Sequence, residues 1–243
     1  MVSGATGAIG ESVCRAFVEE GAHVVGLHRG DADRLDPLRE SLVGQALEPA
    51  CLTSVPADLA DPDSLDRAVE QVLERFGRID VLVNNAGTTL ERPFLALRPD
   101  EVDHLVGVNL TGTLHLTRLV LKPMMRARSG SVVSVTSVVA SRGGRGVAVY
   151  AATKAALESM TRALAIEMAA KGVRLNAVAP GVIETPMSRR LVRRRRDKLE
   201  QSIPLTRLGQ PADVAATVLW LASDSVAAYI TGQVVVVDGG LGL

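Results

Sequence analysis

Six short runs of apolar, mostly β-branched residues alternate along the chain with longer stretches of helical period. The runs are HVVGL at 23–27, ACLTSV at 50–55, IDVLV at 79–83, SVVSV at 131–135, VRLNAV at 173–178 and QVVVV at 233–237. Continuous hydrophobicity is typical of strands covered on both faces, and intervening helices imply right-handed crossovers into a parallel sheet. The pattern predicts a doubly wound α/β sheet of about seven strands with helices on both faces.

The length of 243 residues suits one domain, because α/β folds often reach roughly 250 residues as a single unit. No linker, repeat or shift of composition divides the chain, so we expect one domain over residues 1–243. Lys and Arg number 27, as do Asp and Glu, which leaves no global field that would attract nucleic acid or an anionic membrane. Because no membrane-length apolar run and no leader pattern is present, we expect a cytoplasmic protein.

Two local features have bland and functional interpretations. Cys14 and Cys51 lack the spacing of a metal site, so we expect neither a metal nor a disulfide. The run RRLVRRRR at 189–196 is typical of a solvated helix face and, alternatively, of a surface that docks an acidic partner.

A glycine-rich segment, SGATGAIG at 3–10, precedes a helical stretch expected from about Gly10 to Glu20. Glycines at a strand-to-helix turn let the backbone approach a pyrophosphate and direct the first helical N–H groups toward it. A tight turn without a ligand is the alternative. Because strand, turn, helix and second strand follow in order, the segment predicts a dinucleotide site.

Only Met1 and Val2 precede this turn, although the first strand of such a sheet is central and normally about five or six residues long. The chain thus begins inside its predicted first strand. We expect several more apolar residues upstream in the natural protein, and intact-mass analysis of protein from the native source would test this.

Tyr150 and Lys154 stand four residues apart in VYAATKAAL at 149–157, on a predicted helix. Residues i and i+4 share one helix face, so the phenol and the ammonium can enter a common pocket. A close positive charge lowers the pKa of a phenol, which is about 10 when unperturbed, and would make Tyr150 a general acid. The pair alone also fits an ordinary surface Tyr and Lys.

Polar residues follow two other predicted strands. Ser137 comes after SVVSV, and the segment NNAG at 84–87 comes after IDVLV. The carboxyl ends of parallel strands open onto the ligand crevice, so we expect both to lie near Tyr150.

With these motifs the chain resembles the short-chain dehydrogenase/reductase family over essentially its whole length. The matching segments are a TGxxxGxG-like turn at 3–10, DL at 58–59, NNAG at 84–87, YxxxK at 150–154, PG at 180–181 and YITGQ...VDGG at 229–240. The resemblance implies a Rossmann-type fold and a catalytic tetrad of Asn109, Ser137, Tyr150 and Lys154.

Each tetrad residue has an implied role. Ser137 would hydrogen-bond the substrate carbonyl while Tyr150 donates a proton as hydride arrives on carbon. Lys154 would lower the phenol pKa and bind the nicotinamide ribose, and Asn109 would hold a water that connects Lys154 to solvent.

The resemblance also implies a set of cofactor contacts. They are Ser3, Gly4, Gly7, Ile9, Gly10, His28, Arg29, Asp58, Leu59, Asn85, Ala86, Gly87, Tyr150, Lys154, Pro180, Gly181, Ile183 and Thr185. The family's usual threonine is Ser3 here, and its middle glycine falls on Ala8, with Gly7 just before it. Asp58 alternatively fits a turn residue, and Thr185 a helix N-cap.

Residues at the end of the second strand indicate NADPH. An acid about 20 residues after the glycine turn would bind the free 2′-hydroxyl of NAD, but His28 and Arg29 stand there. A guanidinium suits a 2′-phosphate, whereas Asp31 and Asp33 nearby would repel it. An ordinary surface arginine is the alternative for Arg29.

The leading functional hypothesis is an NADPH-dependent reductase of 3-oxoacyl thioesters carried by acyl carrier protein or coenzyme A. The alternatives are a dehydrogenase of a small alcohol, sugar or steroid, and a non-catalytic cofactor-binding subunit. The family implies a homotetramer with helices near 100–127 and 150–171 at the interface. It also implies carrier docking on Arg128 and Lys171, for which pairing with helix dipoles is the alternative. We expect the loop at 186–206 to select the substrate.

Overall fold

A computed structural model describes residues 1–30, 32–44 and 51–243, which leaves Asp31 and the first residue of the ACLTSV run outside the described residues. The strands are β1 (Val2–Ser3), β2 (Val24–His28), β3 (Leu52–Pro56), β4 (Val81–Asn84), β5 (Gly130–Val135), β6 (Val173–Pro180) and β7 (Val234–Val237). They form one seven-stranded sheet in the order β3-β2-β1-β4-β5-β6-β7, and every pairing is parallel. The predicted sheet is confirmed.

Helices connect successive strands and cover both faces of the sheet. They are α1 (Ala8–Glu19), α2 (Asp36–Gly44), α3 (Pro62–Phe76), α4 (Pro99–Val106), α5 (Gly112–Ala127), α6 (Val139–Arg142), α7 (Ala148–Ala169), α8 (Arg189–Ser202), α9 (Pro211–Ala222) and α10 (Asp224–Ala227). Short 3-10 helices cover Ala32–Leu35 and Phe94–Ala96.

Two apolar cores lie on opposite faces of the sheet. One contains residues of α1 and α9, and the other contains residues of α3, α5 and α7. Successive strand residues point to opposite faces, so Val132 of β5 enters one core while Val133 enters the other. The continuous apolar runs therefore reflect burial on both sides, as the sequence predicted.

The strand order reverses between β1 and β4, which places a crevice at the carboxyl ends of these central strands. At the other end, the Met1 ammonium donates to the Val81 carbonyl at 2.9 Å, and the Val83 N–H donates to the Met1 carbonyl at 2.9 Å. The expectation of further upstream residues stays a prediction.

The helix expected near 100–127 is interrupted. A π-helical segment, Gly107–Thr111, separates α4 from α5, and the predicted catalytic residue Asn109 lies within it. The interruption brings Gly112 against the carbonyl of Leu59, where a Cβ on Gly112 would collide with that oxygen. Such π-helical insertions are frequent at functional sites.

The described part of the chain lacks two structural features. No helix there is long and apolar enough to cross a membrane, and no group of three or more His, Cys, Asp or Glu side chains could hold a metal ion. Cys14 and Cys51 are free thiols, and burial raises the pKa of Cys14 to about 12.

Gly112→Ala should destabilise the protein, because the added methyl group would meet the Leu59 carbonyl oxygen and would lie 2.8 Å from the Leu59 Cβ. We expect a loss of about 1–3 kcal/mol in the free energy of unfolding, measured by chemical denaturation. Gly107→Ala is the matched control, since nothing lies within 4 Å of its added Cβ and its φ of −55° is helical. The control should be unchanged or more stable by about 0.5–1 kcal/mol. Equal stability of the two variants would contradict the assigned contact.

Candidate active site

The glycine turn lies between β1 and α1, at the carboxyl edge of the sheet. Gly4 has a φ of 65°, and a Cβ there would lie 2.8 Å from the Cα of Ala86. A Cβ on Gly10 would collide with the Gly4 carbonyl and lie 2.8 Å from Asn85 Nδ2. These two glycines therefore allow the turn to pack closely against the NNAG segment.

Gly7 is the N-cap of α1 and brings no side chain to the helix terminus. A Cβ on Gly7 would only reach ordinary contact, 3.4 Å from the Gly4 carbonyl oxygen. Ala8 is the first residue of α1, so its methyl group leaves the path of the turn intact. The first N–H groups of α1 thus face an end that no N-cap side chain fills, as an anion site requires.

Ser3 holds the glycine turn and the NNAG segment together. Its hydroxyl donates to the Val83 carbonyl at 3.3 Å and accepts from the backbone N–H groups of Asn85 and Ala86, each at 3.1 Å. Asn85 Nδ2 returns hydrogen bonds to the carbonyls of Ser3 and Gly4 at 3.0 and 3.1 Å. The buried Ser3 hydroxyl is therefore used fully within the protein, and its role in the turn is structural.

His28 and Arg29 lie at the carboxyl end of β2. His28 is buried, and its Nδ1 accepts a hydrogen bond from the Gly30 N–H at 3.2 Å. In the neutral ring this bond leaves the proton on Nε2, so the ring is a donor there. Arg29 is exposed, as is Asp33.

The DL pair after β3 has a clear structural role. The Asp58 carboxylate accepts from the Ala60 N–H at 2.9 Å, and the Asp58 N–H donates to Ser64 Oγ at 3.1 Å. Leu59 is buried against Gly112. These contacts match the turn interpretation of Asp58, and they leave its proposed contact with the cofactor untested.

Lys154 lies at the centre of the site. Its Nζ donates to the Val135 carbonyl at 2.8 Å, and burial lowers the pKa of its ammonium to about 8. A Cβ on Gly87 would lie 3.4 Å from this nitrogen and 3.3 Å from Asn109 Oδ1. The structure thus brings Lys154, Asn109 and the NNAG segment together.

Tyr150 lies one helical turn before Lys154, whose Nζ is 5.7 Å from the centre of the phenol ring. Burial raises the pKa of Tyr150, and the neighbouring Ser137 hydroxyl acts in the opposite direction. The net pKa of the phenol is therefore raised in this arrangement, because burial outweighs the Ser137 interaction, and the lowering expected from the Lys154 charge stays a prediction. Ser137 and Tyr150 are nevertheless brought together as predicted.

Asn109 is buried and ties the loop after β4 to α7. Its Oδ1 accepts from the Thr88 N–H at 2.7 Å, and its Nδ2 donates to the Thr88 carbonyl at 2.8 Å. The same Nδ2 lies 3.4 Å from Thr153 Oγ1, which donates to the Tyr150 carbonyl at 2.7 Å. The sequence did not indicate Thr88 and Thr153 as site residues, since Thr88 follows the NNAG motif and Thr153 occupies an unspecified position of YxxxK.

The segment after β6 closes the other side of the crevice. Gly181 passes close to the VDGG motif, where its Cβ would lie 2.6 Å from the Cβ of Asp238. Ile183 forms a parallel bridge with Gly209. Thr185 Oγ1 accepts from the Ser188 N–H at 3.2 Å in the turn before α8, but the N-cap of α8 is Ser188 and not Thr185.

Arg128 and Lys171 lie at the opposite edge of the sheet from the tetrad, because they precede β5 and β6. Arg128 is the C-cap of α5, with a φ of 53°, and its guanidinium donates to the Ala170 carbonyl at 2.9 Å. This contact at the end of α7 matches the alternative interpretation, in which the cation pairs with the carboxyl end of a helix. Lys171 follows the C-cap of the same helix.

The chain is similar to known reductases over nearly its full length. A sequence profile described as Enoyl-(Acyl carrier protein) reductase matches residues 4–242. The 3-oxoacyl-[acyl-carrier-protein] reductase FabG of Thermotoga maritima is 40% identical over 243 residues, with 99% of this chain and 96% of that protein covered. The 3-oxoacyl-[acyl-carrier-protein] reductase of Synechocystis sp. is 38% identical over 241 residues, with 99% and 95% covered.

Solved structures agree with this similarity. The short-chain dehydrogenase/reductase SDR:Glucose/ribitol dehydrogenase of Brucella melitensis superposes with a TM-score of 0.90 at 34% identity, covering 100% of this chain and 95% of that chain. The 3-ketoacyl-(acyl-carrier-protein) reductase of the same organism, complexed with NADH, gives a TM-score of 0.89 at 33% identity, with 100% and 97% covered. The chain therefore belongs to the short-chain dehydrogenase/reductase family.

Proposed function

We propose that the protein is an NADPH-dependent carbonyl reductase that converts 3-oxoacyl thioesters to 3-hydroxyacyl thioesters. The observation that carries the proposal is the meeting of Ser137, Tyr150 and Lys154 at the carboxyl end of β5. The substrate class is supported by relatives named as 3-oxoacyl-[acyl-carrier-protein] reductases. A non-catalytic subunit is disfavoured because all four tetrad residues are retained and buried or partly buried in one crevice.

The residues around the crevice fit a nicotinamide dinucleotide. The glycine turn and the open N-terminus of α1 would receive the pyrophosphate, while Lys154 would hydrogen-bond the nicotinamide ribose. When bound, the reduced cofactor supplies a hydride to the ketone carbon.

The chain supplies the proton and the orientation. Tyr150 is protonated at neutral pH, since the ordinary pKa of a phenol is about 10 and burial raises it further, so its hydroxyl can give a proton to the ketone oxygen as charge develops there. Ser137 would hold the same oxygen by a second hydrogen bond. The Lys154 ammonium, with a pKa of about 8, favours the phenolate left behind and can pass on the replacement proton.

Tyr150→Phe should separate binding from catalysis, because it removes the proton donor while keeping the ring and the helix. We expect turnover to fall about a hundredfold or more, with the dissociation constant for NADPH nearly unchanged. The measurements are steady-state kinetics and cofactor titration by fluorescence. Near-normal turnover in this variant would remove Tyr150 from the mechanism.

The cofactor preference is proposed to depend on Arg29. Its exposed guanidinium at the end of β2 can pair with a 2′-phosphate, and the buried His28 ring can only donate from Nε2. One related structure is complexed with NADH, so both cofactors require measurement.

Arg29→Asp should lower kcat/KM for NADPH by about tenfold or more and raise the relative rate with NADH, because the phosphate loses a positive partner and meets a negative one. Exposed Arg34→Asp, on the neighbouring 3-10 helix, is the control for a nearby change of charge. Comparable kcat/KM for the two cofactors in the wild type, or equal effects of both variants, would contradict the assignment.

Carrier docking on Arg128 and Lys171 also remains a proposal. Tyr150 and Lys171 are 21 residues apart along and just beyond α7, about 30 Å at the rise of a helix. A carrier bound at that end would therefore serve the active site of another subunit. The family's homotetramer would supply that second subunit. The exposed apolar residues Leu114 and Met125 of α5 and Ile166 of α7 support a subunit interface on these helices.

Cytoplasmic location likewise stays a prediction.

A substrate panel tests both the substrate class and this docking. Thioesters should give the highest kcat/KM when acetoacetyl thioesters, small ketones, quinones, keto sugars and steroids are compared by NADPH oxidation. Added salt should lower kcat/KM for the carrier-bound thioester, and Arg128→Glu should do the same, because charge pairing speeds encounter. A salt-insensitive enzyme that prefers a neutral ketone would favour the alternative dehydrogenase, which the similarity to a glucose/ribitol dehydrogenase also supports.

Arg126→Glu is the matched control, since it makes the same change of charge on an exposed residue of α5. A short thioester without a carrier should respond to neither variant. If both variants slow the carrier-bound substrate equally, docking depends on general charge and not on Arg128.

A further inference from the structure

Three side chains of α7, spaced four residues apart, meet three consecutive residues, namely the last residue of β5 and the two residues that follow it. Lys154 Nζ contacts the Val135 carbonyl at 2.8 Å, and Glu158 Oε1 lies 3.2 Å from the Thr136 hydroxyl. Tyr150 lies beside Ser137, whose hydroxyl lowers the phenol pKa against the effect of burial. Glu158 is thus the third member of a row that includes the two catalytic residues of α7.

The environment of Glu158 indicates a built contact. The residue is 9% exposed, and Thr136 is 3% exposed. A buried carboxylate is costly unless it is hydrogen-bonded, and the Thr136 hydroxyl supplies such a bond. The Arg162 guanidinium, which lies at the surface, is 3.8 Å from the other carboxylate oxygen of Glu158. The Val178 carbonyl, 3.1 Å from the Thr136 hydroxyl, is a second acceptor for the single proton of that hydroxyl. This carbonyl already accepts the Thr136 N–H at 2.7 Å, and a carboxylate is the stronger acceptor.

We propose that Glu158 is a positioning residue, which holds α7 against the end of β5 through Thr136 and so keeps Tyr150 and Ser137 directed at the same point. This role rests on the proposed function in one respect, which is that Tyr150 and Ser137 act together on a carbonyl. One residue along a helix is a rise of about 1.5 Å, and a misplacement of about 1 Å can cost a hundredfold in rate. A contact one turn beyond Lys154 can therefore affect catalysis without touching the substrate.

Glu158→Leu should lower kcat at least tenfold, with the dissociation constant for NADPH changed less than about twofold, because the cofactor contacts lie elsewhere. Glu158→Gln keeps an oxygen that accepts from Thr136 and should retain kcat within about threefold of the wild type. Glu167→Leu is the matched control, since Glu167 is exposed on the same helix. It should leave kcat unchanged.

The phenol itself provides a readout that does not depend on activity. The chain has two tyrosines, and Tyr229 is fully exposed, so Tyr229→Phe leaves Tyr150 as the only phenol. Its ionisation can then be followed by ultraviolet absorbance. In Glu158→Leu, loss of the Ser137 interaction should raise the pH midpoint of Tyr150 ionisation, whereas removal of a negative charge alone would lower this midpoint. An upward shift in the Leu variant, absent from the Gln and Glu167→Leu variants, is the expected result.

Equal losses of kcat in the Leu and Gln variants, or a midpoint in the Leu variant that does not rise, would overturn the proposal. If Glu158→Leu fails to fold, Thr136→Val and Thr136→Ser test the same contact from the strand, and only Thr136→Ser should keep kcat and the midpoint. If the wild type reduces no thioester but Glu158→Leu shows the expected shift of midpoint, the proposed substrate is rejected and the positioning role stands. If the wild type reduces thioesters but Glu158→Leu shows no shift, the proposed substrate stands and the positioning role is rejected.

Discussion

The hydrogen bond from the buried Lys154 ammonium to the Val135 carbonyl is the interaction on which the site depends. A buried cation is unfavourable, and its pKa of about 8 shows that cost. The bond fixes one face of α7 against the last residue of β5. Tyr150, one turn earlier, is thereby held beside Ser137, so the position of α7 determines the geometry of the active site.

The second constraint is the close approach of backbone segments around this bond. Gly4 and Gly10 let the turn after β1 pack against the NNAG segment, and Gly112 lets α5 approach the Leu59 carbonyl. Asn109 then joins the loop after β4 to α7 through Thr88 and Thr153. The crevice is therefore formed by contacts among four strand ends, none of which could form the site alone.

Much of this arrangement could be predicted from the sequence. Continuous apolar runs such as SVVSV predicted strands buried on both faces, and the spacing of Tyr150 and Lys154 predicted one shared helix face. Strand order then placed Ser137 and the NNAG segment at the same edge, since parallel strands end together. These predictions succeeded because each depends on a local period or on the direction of the chain.

The remaining features depend on contacts between distant segments. The π-helical insertion at Asn109 coincides with packing of Gly112 on Leu59, which no helical period encodes. The raised pKa of Tyr150 follows from its burial, which the spacing between Tyr150 and Lys154 does not encode. The cap made by Arg128 and the bond between Thr136 and Glu158 likewise join segments 42 and 22 residues apart.

The most direct test of this account is a crystal structure of the enzyme with NADP+ and a 3-oxoacyl thioester, a pair that cannot react. We predict that the ketone oxygen lies within about 3 Å of both the Tyr150 and the Ser137 hydroxyls, as hydrogen bonds require. A thioester bound in the crevice with its ketone oxygen away from both hydroxyls would contradict the account.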